Sequence, residues 1–227
     1  MTITVTSSFS IGSIGPGGGK IFYYSVAGFS CGTGFTNTGS PTGGKCHYLE
    51  AAPKTWDNPS DDPKKSWAMT AVNTSDITSI ANVVSPNTSS GLGLGYFNSI
   101  EIVNQGNDTT TAAGAARAYN GGSKSDWYLP TTSELNLLCQ WGLGQTAILD
   151  VACSGTTLDS SKFTLGYDYW SSSEMHNRLA WFQTFGDNTV HVTDDSPPVY
   201  WTQWQGQITK DHGVTGYPVH VRPIRSF

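Results

Sequence analysis

Apolar positions along the chain come in short alternating or clustered runs separated by Gly-, Ser-, Thr- and Asn-rich stretches. Residues 1–10 read as a short strand or an arm, with Ile3, Val5 and Phe9 alternating with Thr and Ser. Ile21-Phe22-Tyr23-Tyr24 follows the glycines at 17–19 and reads as a strand leaving a tight turn. Residues 28–45 form a loop bracketed by Cys31 and Cys46, and 47–52 a second strand stopped by Pro53. A polar loop at 54–66 precedes an apolar patch, Trp67-Ala68-Met69, and residues 73–93 read as a long surface excursion. Tyr96, Phe97, Ile100 and Val103 have helical spacing up to Gly106. Residues 110–119 form an Ala-rich helix closed by Asn120-Gly121-Gly122.

The best-specified stretch is 125–138. Trp127, Tyr128 and Leu129 favour a strand, which Pro130 stops. Thr131 with Glu134 makes a capping box. Leu135, Leu138 and Trp141 give the new helix an apolar face, and Gly142 and Gly144 end it. Beyond it the pattern is strand-like at 167–170, 180–185, 190–192 and 219–224, with Gly186-Asp187-Asn188 as a hairpin signal between Phe185 and Val190. Helices in the middle and an antiparallel sheet built late make an α+β domain over 11–227, preceded by the arm.

Composition narrows the function. The net charge of -5 and the lack of any Lys/Arg-rich run exclude nucleic acid and an anionic membrane as main partners. No apolar run approaches the ~20 residues of a membrane helix, so no membrane insertion is expected. Only 13% of residues are charged, while 12% are aromatic, which marks a loop-rich extracellular type of domain rather than a disordered chain. The first ten residues lack the basic start and apolar run of a signal peptide. That leaves a trimmed chain, or one that leaves its cell without a signal as a virion component does. Four cysteines allow three pairings. The local pairs Cys31 with Cys46 and Cys139 with Cys153 are favoured, each closing roughly 15 residues for about 3 kcal/mol. Four buried free thiols are the alternative. No cysteine spacing suggests zinc.

Gly17-Gly18-Gly19-Lys20 superficially matches a phosphate loop, but Ile14 stands where the first glycine belongs and Ile21 where Ser or Thr would hold magnesium. A broader match runs from about residue 11 to Phe227. It comprises Ile14-Gly15-Pro16-Gly17-Gly18-Gly19 with Ile21-Phe22-Tyr23, Tyr48-Leu49-Glu50-Ala51-Ala52-Pro53, and Ser125-Asp126-Trp127-Tyr128-Leu129-Pro130 with Glu134-Leu135. Tyr169-Trp170-Ser171-Ser172-Ser173-Glu174, Ala180-Trp181 and Val221-Arg222-Pro223-Ile224-Arg225-Ser226-Phe227 complete it. In this order the motifs resemble the C-terminal domain of the collagen-like bacterial adhesin family, a domain of unknown function. The resemblance implies a C-type lectin-like fold: two or three short helices, a small antiparallel sheet and long loops, with the first and last strands paired. It implies core roles for Trp127, Trp170 and Trp181, and acceptors such as Asp126 or Glu174 for Arg222 and Arg225. It makes Ser171-Ser172-Ser173-Glu174 a turn bonded to its own backbone.

Relatives of that fold suggest adhesins and phage tail-fibre tips, variable ligand-binding proteins of diversity-generating retroelements, and formylglycine-generating oxidases. The oxidases use a cysteine late in the domain; here the last is Cys153. His176, His191, His212 and His220 are scattered and no GxSxG elbow accompanies them. No catalytic residue is therefore assigned. Calcium-dependent sugar binding needs converging oxygens; the sequence offers Asp187, Asp194 and Asp195, without the Glu-Pro-Asn, Gln-Pro-Asp or Trp-Asn-Asp motifs of sugar-binding lectins. The candidate ligand site is the aromatic, amide-rich run Tyr200, Trp201, Gln203, Trp204 and Gln205. His176, Asn177 and Arg178 are expected nearby, joined by Asn188 and His191. Trp and Tyr faces stack on pyranose rings, and such loops also make protein paratopes; the alternative is that Trp201 and Trp204 cover the core or a subunit interface. The expected function is a non-enzymatic receptor-binding domain for a cell-surface glycan or protein, on a virion or a bacterial surface, trimeric by analogy. A structural virion subunit is the alternative.

Overall fold

The structure, a computed structural model, describes residues 9–31, 44–59, 61–85, 91–155, 158–163, 167–185, 190–191, 199–200, 205–212 and 219–227. Its first strand, β1 (Lys20–Ser30), grows from the glycine turn, and that turn closes around a carboxylate. The Gly17 and Gly19 amides donate to Glu50 at 3.0 and 2.7 Å. A Cβ on Gly17 would lie 2.5 Å from the Trp127 ring, and one on Gly19 2.1 Å from the Ala51 carbonyl oxygen, so only glycine fits. The loop that superficially resembles a phosphate cradle thus holds an internal anion.

Glu50 lies on β2 (Lys45–Ala51), which pairs antiparallel with β1 and also with β9 (Ile224–Ser226). The first and last strands therefore share a sheet without pairing directly, a correction to the expected topology. The reason is electrostatic: the Glu50 carboxylate needs the glycine turn on one side and the Arg225 guanidinium, 3.0 Å away, on the other, so its strand is central. Arg225 also grips Asp126 through two hydrogen bonds of 2.8 and 2.7 Å. The other edge of β9 is taken by Tyr128, which exchanges two backbone hydrogen bonds with Ile224. Phe9, at the end of the expected arm, packs edge-on against Tyr48 and Phe227.

Two helices, α1 (Gly95–Asn104) and α2 (Ala112–Ala118), form where the pattern places them. A third, α3 (Thr132–Gly142), starts with the capping box, Thr131 accepting from the Glu134 amide and Glu134 from the Thr131 amide. All its residues are buried, not only the apolar face that the spacing predicts. Its polar side holds the loop at 148–153: Asn136 and Gln140 both donate to the Val151 carbonyl and accept from the amides of Cys153 and Ile148. The Cys139–Cys153 disulfide closes that loop and Cys31–Cys46 closes the earlier one, the two local pairings.

The larger sheet has the order β7-β4-β3-β8, built from β3 (Tyr167–His176), β4 (Leu179–Phe185), β7 (Gln205–Thr209) and β8 (Val219–His220). It is mixed rather than antiparallel, because β8 runs parallel to β3. Successive β3 residues face opposite sides. Tyr169 joins a core with Phe22, Leu49, Tyr128, Leu138 and Phe185. Trp170 joins another with Trp67, Ile102, Leu129, Phe182 and Val221. Ile77 and Ile80 belong to this second core, so the stretch read as a surface excursion is anchored inside. Residues 171–174, expected as a turn, continue β3 with an irregular register. Ser171 Oγ does accept from the Ser173 amide, and it donates to Trp181 O across the strand pair. Both edges of β4 are occupied by β3 and β7, so Val190 does not fold back on it as the hairpin signal suggests. Instead β5 (Val190–His191) pairs with β6 (Val199–Tyr200).

Candidate functional site

Candidate residues fall at opposite ends of β4, whose seven residues span about 20 Å. One end carries the turn with His176, Asn177 and Arg178. Asn177 Nδ2 donates to the Thr74 carbonyl at 3.1 Å, and His176 Nδ1 accepts from the Arg178 amide at 3.1 Å. The turn rests on a buried ion pair between Glu174 and Lys210. Lys210 also donates to Ser75 O at 2.9 Å, and Glu174 accepts from the Ile77 amide at 3.1 Å. Glu174 is thus held by a lysine and a backbone amide rather than by the late arginines. Burial pushes the Glu174 carboxyl up and the Lys210 ammonium down, the cost of placing the pair inside.

Beside this turn opens a cleft of about 510 Å³ lined by Ser66, Met69, Thr70, Thr110, Asp211 and His212. Asp211 accepts from Asn73 Nδ2 at 3.0 Å, and the Thr209 hydroxyl lies 3.2 Å from His212 Nδ1. The Asn177 and Arg178 side chains are exposed at this end. Amide, imidazole, hydroxyl and carboxylate groups together make a polar surface able to exchange hydrogen bonds with a hydroxyl-rich ligand.

The other end of β4 is where the late stretch leaves and rejoins the sheet. Gln183 pairs with Gln205 across β4 and β7, although they are 22 residues apart in sequence. Gln205, expected to meet ligand, is only 7% exposed. Its Nε2 donates to Thr132 O at 2.8 Å and to Gln183 Oε1 at 3.2 Å, which commits the amide inward. Trp201, Gln203, Trp204 and Asn188 lie outside the described residues, as do Asp187, Asp194 and Asp195. Tyr200 and His191 are placed only by their strands, β6 and β5. The 176–178 turn lies at the end of β4 away from both attachment points of the late stretch, Phe185 and Gln205.

The strongest electrostatic perturbations are in the core. Desolvation raises Glu134 to about 7 against the opposing donors Thr131 N, Gly93 N and Tyr128 OH. Desolvation lowers His220, stacked on Tyr167 at 3.7 Å, to about 4. Asp62 is raised by burial although it accepts from Arg222 Nε at 2.7 Å and from the Tyr169 hydroxyl at 2.7 Å. The pattern along the chain marks neither Asp62 nor Lys210; Glu50 carries a faint signal, a charge inside an otherwise apolar strand. Among the described residues no group of three His, Cys, Asp or Glu side chains gathers to hold a metal ion, and no helix is long and apolar enough to cross a membrane. No protein-family model, curated protein or solved structure matches the chain.

Proposed function

We propose that the chain is a non-enzymatic recognition domain of C-type lectin-like architecture, displayed outside the cell and reading a cell-surface glycan or protein. The observation that carries this reading is the insertion between β4 and β7. Adjacent antiparallel strands need a connection of only two to five residues, yet Gln183 and Gln205 are joined by a far longer one. Its sequence, with Tyr200, Trp201, Gln203 and Trp204, has the composition of a contact surface rather than of a turn. Its two attachment points are rigidly framed, Phe185 in the core beside α3 and Gln205 bonded to the first residue of that helix. Long loops on a fixed scaffold are where binding residues concentrate.

Two further features support the reading. Both disulfides fit an oxidising compartment. With every cysteine paired, the reactive thiol required by a formylglycine-type oxidase is not available. A receptor-binding protein of a phage tail or a bacterial adhesin is the preferred setting, on the strength of the motif resemblance.

The test is binding of the purified domain to a panel of bacterial cells and their extracted envelope glycans, with and without chelator. A Trp201→Ala/Trp204→Ala variant that keeps its thermal midpoint but binds at least about tenfold more weakly is the expected result, the scale of a lost aromatic anchor. Unchanged binding in the folded variant, or binding to nothing on the panel, overturns the reading in favour of a structural subunit. Loss with chelator adds a bound cation.

A further inference from the structure

A second cleft, of about 290 Å³, opens between the start of β1, the segment after β2 and the last turn of α3. Lys20, Lys54, Lys162 and Arg222 line it, together with Trp141 and Pro53. In a chain of net charge -5, this cavity gathers four cations and no carboxylate among its described lining residues. The four are not equivalent. Arg222 is neutralised by Asp62 and donates its remaining contacts to the carbonyls of Ala52 and Lys162, so it is a fixed part of the wall. Lys162 sits 4.5 Å over the Trp141 ring, donates to Trp141 O and pairs at 3.3 Å with Asp159. Among the described residues Lys20 donates to the Gly12 carbonyl at 3.2 Å and forms no ion pair. Lys54 forms no ion pair among the described residues. Among the described residues these two ammonium groups at the cavity have no carboxylate partner.

We propose that this cleft binds one acidic sugar unit of a glycan, its carboxylate or phosphate set between Lys20 and Lys54 and its ring against Pro53. The volume is at the small end of ligand cavities and suits a single ring. The apolar lining argues for a ring bearing the anion rather than a free ion, and the two ammonium groups supply charge-assisted hydrogen bonds. The inference deepens the glycan-recognition reading and rests on it for the class of ligand, but it places a second contact away from the β4–β7 insertion.

The experiment is a two-dimensional NMR titration of the intact domain with glucuronate, N-acetylneuraminate and glucose 6-phosphate, against glucose and inorganic phosphate as controls. The Trp141 indole and the amides of Lys54 and Ser161 report on the cleft. Saturating shifts confined to these signals are expected with acidic sugars and not with glucose, weakening as salt is raised. The carboxylate and phosphate arms distinguish the two anion types. Lys20→Gln and Lys54→Gln, each replacing a side chain outside the core, should each weaken binding at least about threefold. No shifts, shifts unaffected by both variants, or phosphate binding as tightly as any sugar each overturns the proposal. Because no cells are involved, failure here leaves the recognition reading standing. Conversely, the Trp201→Ala/Trp204→Ala variant should leave this titration unchanged.

Discussion

Glu134 and His220 are both inside the domain and are displaced from their ordinary ionisation in opposite directions. A carboxyl raised to about 7 holds its proton more tightly folded than unfolded. Its stabilising contribution is complete below its unfolded value near 4.5 and is lost as pH rises toward 7. A histidine lowered to about 4 contributes fully above 6.5 and loses that contribution as pH falls toward 4. Each displacement is worth on the order of 3 kcal/mol, so between about pH 4.5 and 6.5 the two nearly cancel. Urea denaturation across pH 4.5 to 7.5 should therefore be nearly flat from these two groups in the parent chain. In His220→Asn stability should fall with rising pH; in Glu134→Gln, which can keep the Thr131 N cap bond only by turning its Nε2 toward the Gly93 amide, it should rise from a lower baseline. Parallel pH profiles for all three proteins would refute the assignment. At this scale the sequence was partly readable. The resemblance names Asp126 and Glu174 as acceptors for the two late arginines; Asp126 does hold Arg225, but Glu174 pairs with Lys210. Asp62 and Glu50 are not anticipated as partners, because acceptor and donor stand 160 and 175 residues apart and no local period marks them.

Among the elements, α3 was legible because its signals are local: a stop at Pro130, a capping box, and leucines at helical spacing. β3 was legible only to Trp170. Ser171-Ser172-Ser173 has little strand preference of its own, and neighbours extend the strand: Ser172 N donates to Pro130 O and Ser171 Oγ to Trp181 O. The loop after α3 shows how polar helix residues do covalent work's counterpart. Replacing Cys139 and Cys153 by serine should lower global stability by about 3 kcal/mol. The Ile148 and Cys153 amides should nevertheless stay protected in native-state hydrogen exchange, because Gln140 and Asn136 still accept from them. Adding Asn136→Ala should release the Cys153 amide. Loss of protection on removing the disulfide alone would mean that the side-chain bonds do not hold the loop.

For the molecule as a whole, the α+β class was readable from helices followed by late strands, but the arrangement of the sheets was not. Strand order depends on which edges are free, and β4 has neither edge free for Val190. The same geometry puts the 176–178 turn and the two attachment points of the late insertion, Phe185 and Gln205, at opposite ends of β4. Since Gln183 and Gln205 already pair, replacing residues 186–204 by a short Asn-Gly turn should leave the domain folded, with a thermal midpoint within about 5 °C of the parent. It should also abolish binding to the cells that the parent recognises. A collapsed amide spectrum in that variant would assign the insertion to the core.

Glu50, Asp62 and Asp126 all precede the segment that neutralises them, residues 219–227. During synthesis those carboxylates are made long before Arg222 and Arg225, at a rate of roughly 5–20 residues per second. Until the late arginines emerge, closing the first sheet would bury acids with no countercharge, which is strongly unfavourable. The early strands are therefore expected to stay solvated until the late ones arrive. A chain cut before Arg222 is therefore expected to leave the amides of β1 and β2 unprotected from hydrogen exchange, whatever local structure α3 and its disulfide loop retain.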